Sequence, residues 1–284
     1  MNKLMLAKYR FTLRFTERTM LPPFIGNTIR GALGRALYGQ IPHAAEYDCD
    51  TVDCGYNNSV YGCRNGCVYG NVFKVKSDVS IPNPYTVSVP FPSKGEYDQG
   101  EALTFFITLF GRAADYGAEI ASAARSIGIG SLRHAVCRED GLVYARTWSD
   151  EGADGLPYCD ALTVRFITPA EILCDKEPVT KPDFSTFINS LFGRIAGIID
   201  NYGESPFVIP YSLLAAKPFI KSEYDIAPMN FHTGTGGRQP VNGFVGVARY
   251  FGDITPYLPY IDLGSQLHIG KKTTRGCGEY IFEM

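Results

Sequence analysis

No stretch of this sequence stays apolar and uncharged for the length of a membrane span. Its start, MNKLMLAKYRFTLRF, mixes charged and apolar residues and does not read as a signal peptide. The chain is therefore expected in the cytoplasm, away from membranes, with its eight cysteines mostly reduced. An excess of positive charge is also lacking. The formal net charge is −2 and the pI about 6.1, so any nucleic-acid binding has to rely on local basic patches. Histidine is scarce: only His43, His134, His232 and His268 are available for proton transfer near neutral pH. No Ser-His-Asp or Cys-His signature and no nucleophile elbow appears. A Walker phosphate loop is absent too, because it would need a glycine at the position of Ser265, five residues before Gly270.

What is present is ample core material. Of 284 residues, 45% are hydrophobic and 13% aromatic, which favours two domains or a duplicated unit. Residues 9–15, YRFTLRF, alternate as a strand with an apolar face and a basic face carrying Arg10 and Arg14. In IGNTIRGALGRALYGQ the residues Ile29, Ala32, Leu33, Ala36 and Leu37 recur at helical spacing, with Gly39 as a stop. Strands are expected at PYTVSVPF, ALTFFITLF and near 131–148, and a helix over 112–126. After the Gly- and Asp-rich boundary WSDEGADGLPYCD the pattern restarts. LTVRF alternates again, and Pro182–Asp183 open a helix with an apolar stripe from Phe184 to Ile199. Strands near 216–231 and 240–251, a helical piece at 255–264 and the strand EYIFE complete the second half. The order predicts an α+β fold of two tandem ferredoxin-like βαββαβ domains, 1–152 and 158–284. A cysteine-bearing loop, 44–72, is inserted in the first domain, and a generic α+β protein is the alternative.

Three segments carry candidate chemistry. QLHIGKKTTRGCGEY combines Gly270, Gly276 and Gly278 with Lys271, Lys272 and Arg275. Glycines permit positive φ and close backbone approach, so exposed N–H groups and cations could cradle phosphates; a hairpin with solvated lysines is the bland reading. HTGTGGRQP, which carries Arg238, has similar chemistry. In the cysteine loop, Cys49, Cys54, Cys63 and Cys67 are separated by four, eight and three residues. They would close a tetrahedral structural zinc site, or remain four separately placed thiols. Cys137, Cys159, Cys174 and Cys277 share no spacing and read as packing residues.

Together LPPFIGNTIRGALGRALYG, CRNGCVYGNVF, LTFFITLFGRA, LTVRFITPAEI and GFVGVARYFGD…YLPYIDLGSQLHIGKKTTRGCGEY resemble the CRISPR RNA-processing endoribonucleases of the RAMP superfamily. The resemblance runs over nearly the whole chain and is most specific in the C-terminal glycine-rich segment. It implies two ferredoxin-like domains and metal-independent cleavage of precursor CRISPR RNA within its repeats. The ribose 2′-hydroxyl would attack the adjacent phosphate, leaving a 2′,3′-cyclic phosphate and a 5′-hydroxyl. It also implies CRISPR repeat RNA and effector-complex subunits as partners. His43, just after the first helix, matches the family's general acid–base position, with His268 and Tyr38 as further catalytic candidates, and residues 270–278 match its RNA-contacting loop. Arg275 and Cys277 depart from the apolar pair expected there. A non-cleaving RAMP-type guide-RNA-binding subunit and a zinc-stabilised interaction module are the alternative functions.

Overall fold

The computed structural model describes residues 2–40, 68–73, 81–127, 135–150, 156–233 and 239–284. Two compact units emerge: Met5–Arg146, and Met1–Leu4 together with Thr147–Met284.

In the first unit, β1 (Lys3–Phe15) is followed by the short strand β2 (Thr19–Met20) and helix α1 (Gly26–Gly39). Then come β3 (Tyr85–Ser88), β4 (Glu96–Tyr97), β5 (Ala102–Phe110), α2 (Gly117–Arg125) and β6 (Ala135–Ser149). The main sheet runs β3-β5-β1-β6, while β2 pairs with β4 outside it. Alternation decides which side of β1 is buried. Phe11, Leu13 and Phe15 are buried, whereas Arg10 and Arg14 are exposed and lie opposite Phe106 and Ala102 of the antiparallel β5. The expected stripe of α1 is buried in full, and α1 packs on α2.

The second unit contains β7 (Ala161–Ala170), a hairpin of β8 (Ile172–Cys174) and β9 (Glu177–Val179), and α3 (Phe184–Tyr202). It continues with α4 (Tyr211–Ala216), β10 (Lys221–Thr233), β11 (Gln239–Phe251), α5 (Leu258–Leu267) and β12 (Tyr280–Glu283). Its sheet runs β10-β11-β7-β12. Taken by order within each unit, both sheets read second, third, first, fourth strand. That is the βαββαβ order, so the chain is a duplicated ferredoxin-like fold.

Local rules explain the second unit's helices. Asp183 caps α3 by accepting the Thr186 N–H at 2.7 Å, and all eight apolar stripe residues are buried. Its aromatic core satisfies its own polar atoms: the hydroxyls of Tyr250, Tyr257 and Tyr280 donate to the carbonyls of Pro182, Leu213 and Ile261. Two expectations need correction. The strand placed near 216–231 starts only at Lys221, because the helix formers of YSLLAA build α4, which buries Leu213, and a 3-10 turn over Lys217–Phe219 follows. Cys174 is exposed rather than packed, since it ends β8 next to the hairpin tip, where Asp175 and Lys176 take positive φ.

Candidate nucleic-acid interface

The glycine-rich segment is a tight turn between α5 and β12. The carbonyl of Leu267, at the end of α5, accepts the Arg194 Nε–H at 3.2 Å, a favourable place for a cation. Burial pushes the Arg194 guanidinium down to about 10. The chain then leaves the helix with positive φ at His268, Gly270, Lys272, Gly276 and Gly278.

Two of the glycines are explained by the chain itself. A Cβ on Gly278 would lie 1.8 Å from the Ile269 carbonyl oxygen, and one on Gly270 would lie 2.3 Å from that of Glu171. The close approach is therefore backbone to backbone, where a ligand was expected. The N–H groups are largely used in the same way. Ile269 donates to Gly278, Lys271 to Glu171, Arg275 to Lys272, Gly276 to Thr273 and Gly278 to Pro169, at 2.9–3.0 Å. The expected run of exposed donors thus shrinks.

The lysine pair separates. Lys271 is exposed. Lys272 ion-pairs with Glu171, their side chains being 22% and 10% exposed. Arg275 is half-exposed in the last turn of the 3-10 piece Thr273–Arg275. Cys277 is fully buried, and burial pushes its thiol up to about 12, so it fills the apolar position of the motif as a small hydrophobe. His268 is buried as well, 1% exposed, with Nδ1 3.3 Å from the Cys277 carbonyl. That geometry suits shaping the turn better than exchanging protons with a solvated substrate.

Tyr38 lies in the last turn of α1, half-buried, its ring edge-on to Tyr69 at 5.6 Å. His43, Arg238 and the four zinc candidates Cys49, Cys54, Cys63 and Cys67 lie outside the described residues. Among the described residues no group of three or more metal-ligating side chains gathers. On the first unit's sheet, Lys8 sits with Nζ 5.2 Å from the Phe106 ring centroid, on the same face as Arg10 and Arg14. Sequence reasoning passed over Glu171 and Arg194. A lone acid in the apolar run ITPAEI was the available signal, because a carboxylate there demands a partner.

Tandem ferredoxin-like units, the second closing on a basic glycine-rich turn, are the class of fold this chain defines. Residues 164–280 match the family model of the CRISPR-associated endoribonuclease Cas6, and residues 4–139 match a second model described as an N-terminal domain. The similarity to that endoribonuclease family lies within the second unit, and neither model spans half of the chain. A Cas6 product complex has a similar structure, with TM-score 0.59 and 15% identity over 98% of this chain and 99% of that one. The Cas6 of Thermus thermophilus aligns with TM-score 0.57 and 15% identity over 99% of each chain. A partial Cas6-RT-Cas1–Cas2 complex aligns with TM-score 0.61 and 10% identity, over 99% of this chain and 46% of that one. At these identities the likenesses establish the fold. No curated protein matches the sequence. Among the described residues, no helix is long and apolar enough to cross a membrane.

Proposed function

We propose that this protein cleaves precursor CRISPR RNA within its repeats, without a metal ion in the chemistry. The observation that carries the reading is the Cas6 match over residues 164–280, which contains the basic turn in full. In the proposed step a base takes the proton of the ribose 2′-hydroxyl and that oxygen bonds to the adjacent phosphorus. The bond from phosphorus to the 5′-oxygen breaks, and an acid protonates the departing oxygen. The products are a 2′,3′-cyclic phosphate and a 5′-hydroxyl. Cations and N–H donors facing the phosphate stabilise the charged phosphorane. We assign the acid–base role to His43, with Tyr38 as the second candidate, and RNA phosphate contact to Lys271 and Arg275. Repeat RNA and CRISPR effector subunits are the proposed partners, and Cys49, Cys54, Cys63 and Cys67 are proposed to hold one structural zinc.

The test is single-turnover cleavage of a repeat RNA in EDTA, with a 2′-deoxy substrate as the control. Cleavage in EDTA that stops with the 2′-deoxy sugar is expected. His43→Ala should slow it by about 10²–10⁴-fold while affinity stays nearly unchanged. RNA retained without cleavage would instead identify a guide-RNA-binding subunit. Elemental analysis should find about one zinc per chain, lost when Cys63 and Cys67 are replaced together.

A further inference from the structure

Glu171 lies about a hundred residues before the glycine-rich turn, yet two of its links reach it and a third ties it to β11. Its carbonyl accepts the Lys271 N–H at 3.0 Å. Its carboxylate Oε2 pairs with Lys272 Nζ and also accepts the Asn242 N–H of β11 at 3.4 Å. Lys272 is in turn the hub of the turn's backbone. It holds a left-handed conformation at φ 62°, and its carbonyl accepts the N–H groups of Arg275 and Cys277. A non-glycine residue in that conformation is disfavoured unless its surroundings hold it. The ion pair supplies that hold, and at these exposures it is shielded from water more than a surface pair would be.

We propose that Glu171 and Lys272 form a latch that fixes the shape of the turn, making Glu171 a positioning residue for RNA binding. The proposal rests on the reading of the turn as an RNA surface. It divides the two adjacent lysines by role: Lys271, exposed, meets phosphate, while Lys272 is committed to Glu171. The charge that reaches RNA from this pair is therefore one, not two. The latch is also tied to Cys277, whose N–H bonds to the Lys272 carbonyl, whose thiol is fully buried and which lies near enough to feel both charges.

Two measurements on the full chain test this. The first is the salt dependence of repeat-RNA binding, in which each phosphate contact on a single strand contributes about −0.7 to the log–log slope. Lys271→Ala should flatten the slope by about one such contact. Lys272→Met should weaken binding at every salt concentration and leave the slope unchanged. The second is alkylation of Cys277 by iodoacetamide, read by peptide mass spectrometry, which needs no RNA. Cys277 should be protected in the wild type and labelled faster in Lys272→Met and Glu171→Gln. The charge-swapped pair, Glu171→Lys with Lys272→Glu, should restore both protection and affinity, which a direct lysine–phosphate contact could not survive. Cooperative unfolding of each variant, followed by tryptophan fluorescence, confirms that the second unit remains folded. A slope flattened equally by Lys272→Met and Lys271→Ala, with Cys277 still protected, overturns the latch and leaves the RNA surface standing. Binding unchanged in Lys271→Ala, Lys272→Met and Arg275→Ala overturns the RNA surface, and the proposal with it.

Discussion

Replacing Gly278 with alanine tests why the turn is built from glycine. At φ 74° an L-residue pays left-handed strain of roughly 1–2 kcal/mol. The new Cβ would also sit 1.8 Å from the Ile269 carbonyl oxygen, a backbone atom that cannot swing aside. Relief requires the turn to open, giving up the bond from Ile269 N–H to the Gly278 carbonyl and the bond from Gly278 N–H to Pro169, at 2.9 and 3.0 Å. At about 1 kcal/mol each, these bring the expected loss to roughly 3–4 kcal/mol. The assay is built into the chain. Its single tryptophan, Trp148, is buried in the unit that carries the turn and donates to the Pro259 carbonyl at 3.1 Å. Urea unfolding is followed by its fluorescence, which reads the loss of that burial. Gly193→Ala is the opposite control in the same unit. It lies in α3 with nothing within 4 Å of its added Cβ, so helix propensity alone should stabilise the unit by about 1 kcal/mol. A Gly278→Ala loss no greater than the left-handed strain alone, about 1–2 kcal/mol, would refute the crowding argument.

Two further outcomes are read by the same fluorescence. Asp183→Ala removes the cap of α3 and should cost about 1 kcal/mol, whereas Asp183→Asn should restore most of it. Stability should also fall on the alkaline side. Burial raises the Cys277 thiol from 9 to about 12, so the folded chain keeps its proton where the unfolded chain loses it. That contribution is whole below pH 9 and is lost progressively up to pH 12, with buried Tyr250 and Tyr280, both raised by desolvation, adding to the decline above pH 10. Cys277→Ala should flatten the fall between pH 9 and 10, and an unchanged slope would place the thiol outside the buried turn.

Much of the fold was legible because its determinants are local. The alternation of YRFTLRF and LTVRF and the apolar stripes of α1 and α3 are set by residues two to four positions apart, and the cap at Asp183 acts over three. The same holds for the basic character of 270–278 and for the family resemblance, which rests on contiguous motifs. The role of each residue in the turn was not local. Lys271 and Lys272 are neighbours with the same side chain, and only the fold places Glu171 beside one of them. Gly278 read as freedom for a ligand until the Ile269 carbonyl was seen to occupy the space. His268 read as an available base, and it lies under the turn. The ion pair joins residues about a hundred positions apart, and the crowding at Gly278 comes from a residue that only the folded turn brings back against it. A sequence shows which groups exist, and only the tertiary structure decides which of them are already spent on one another.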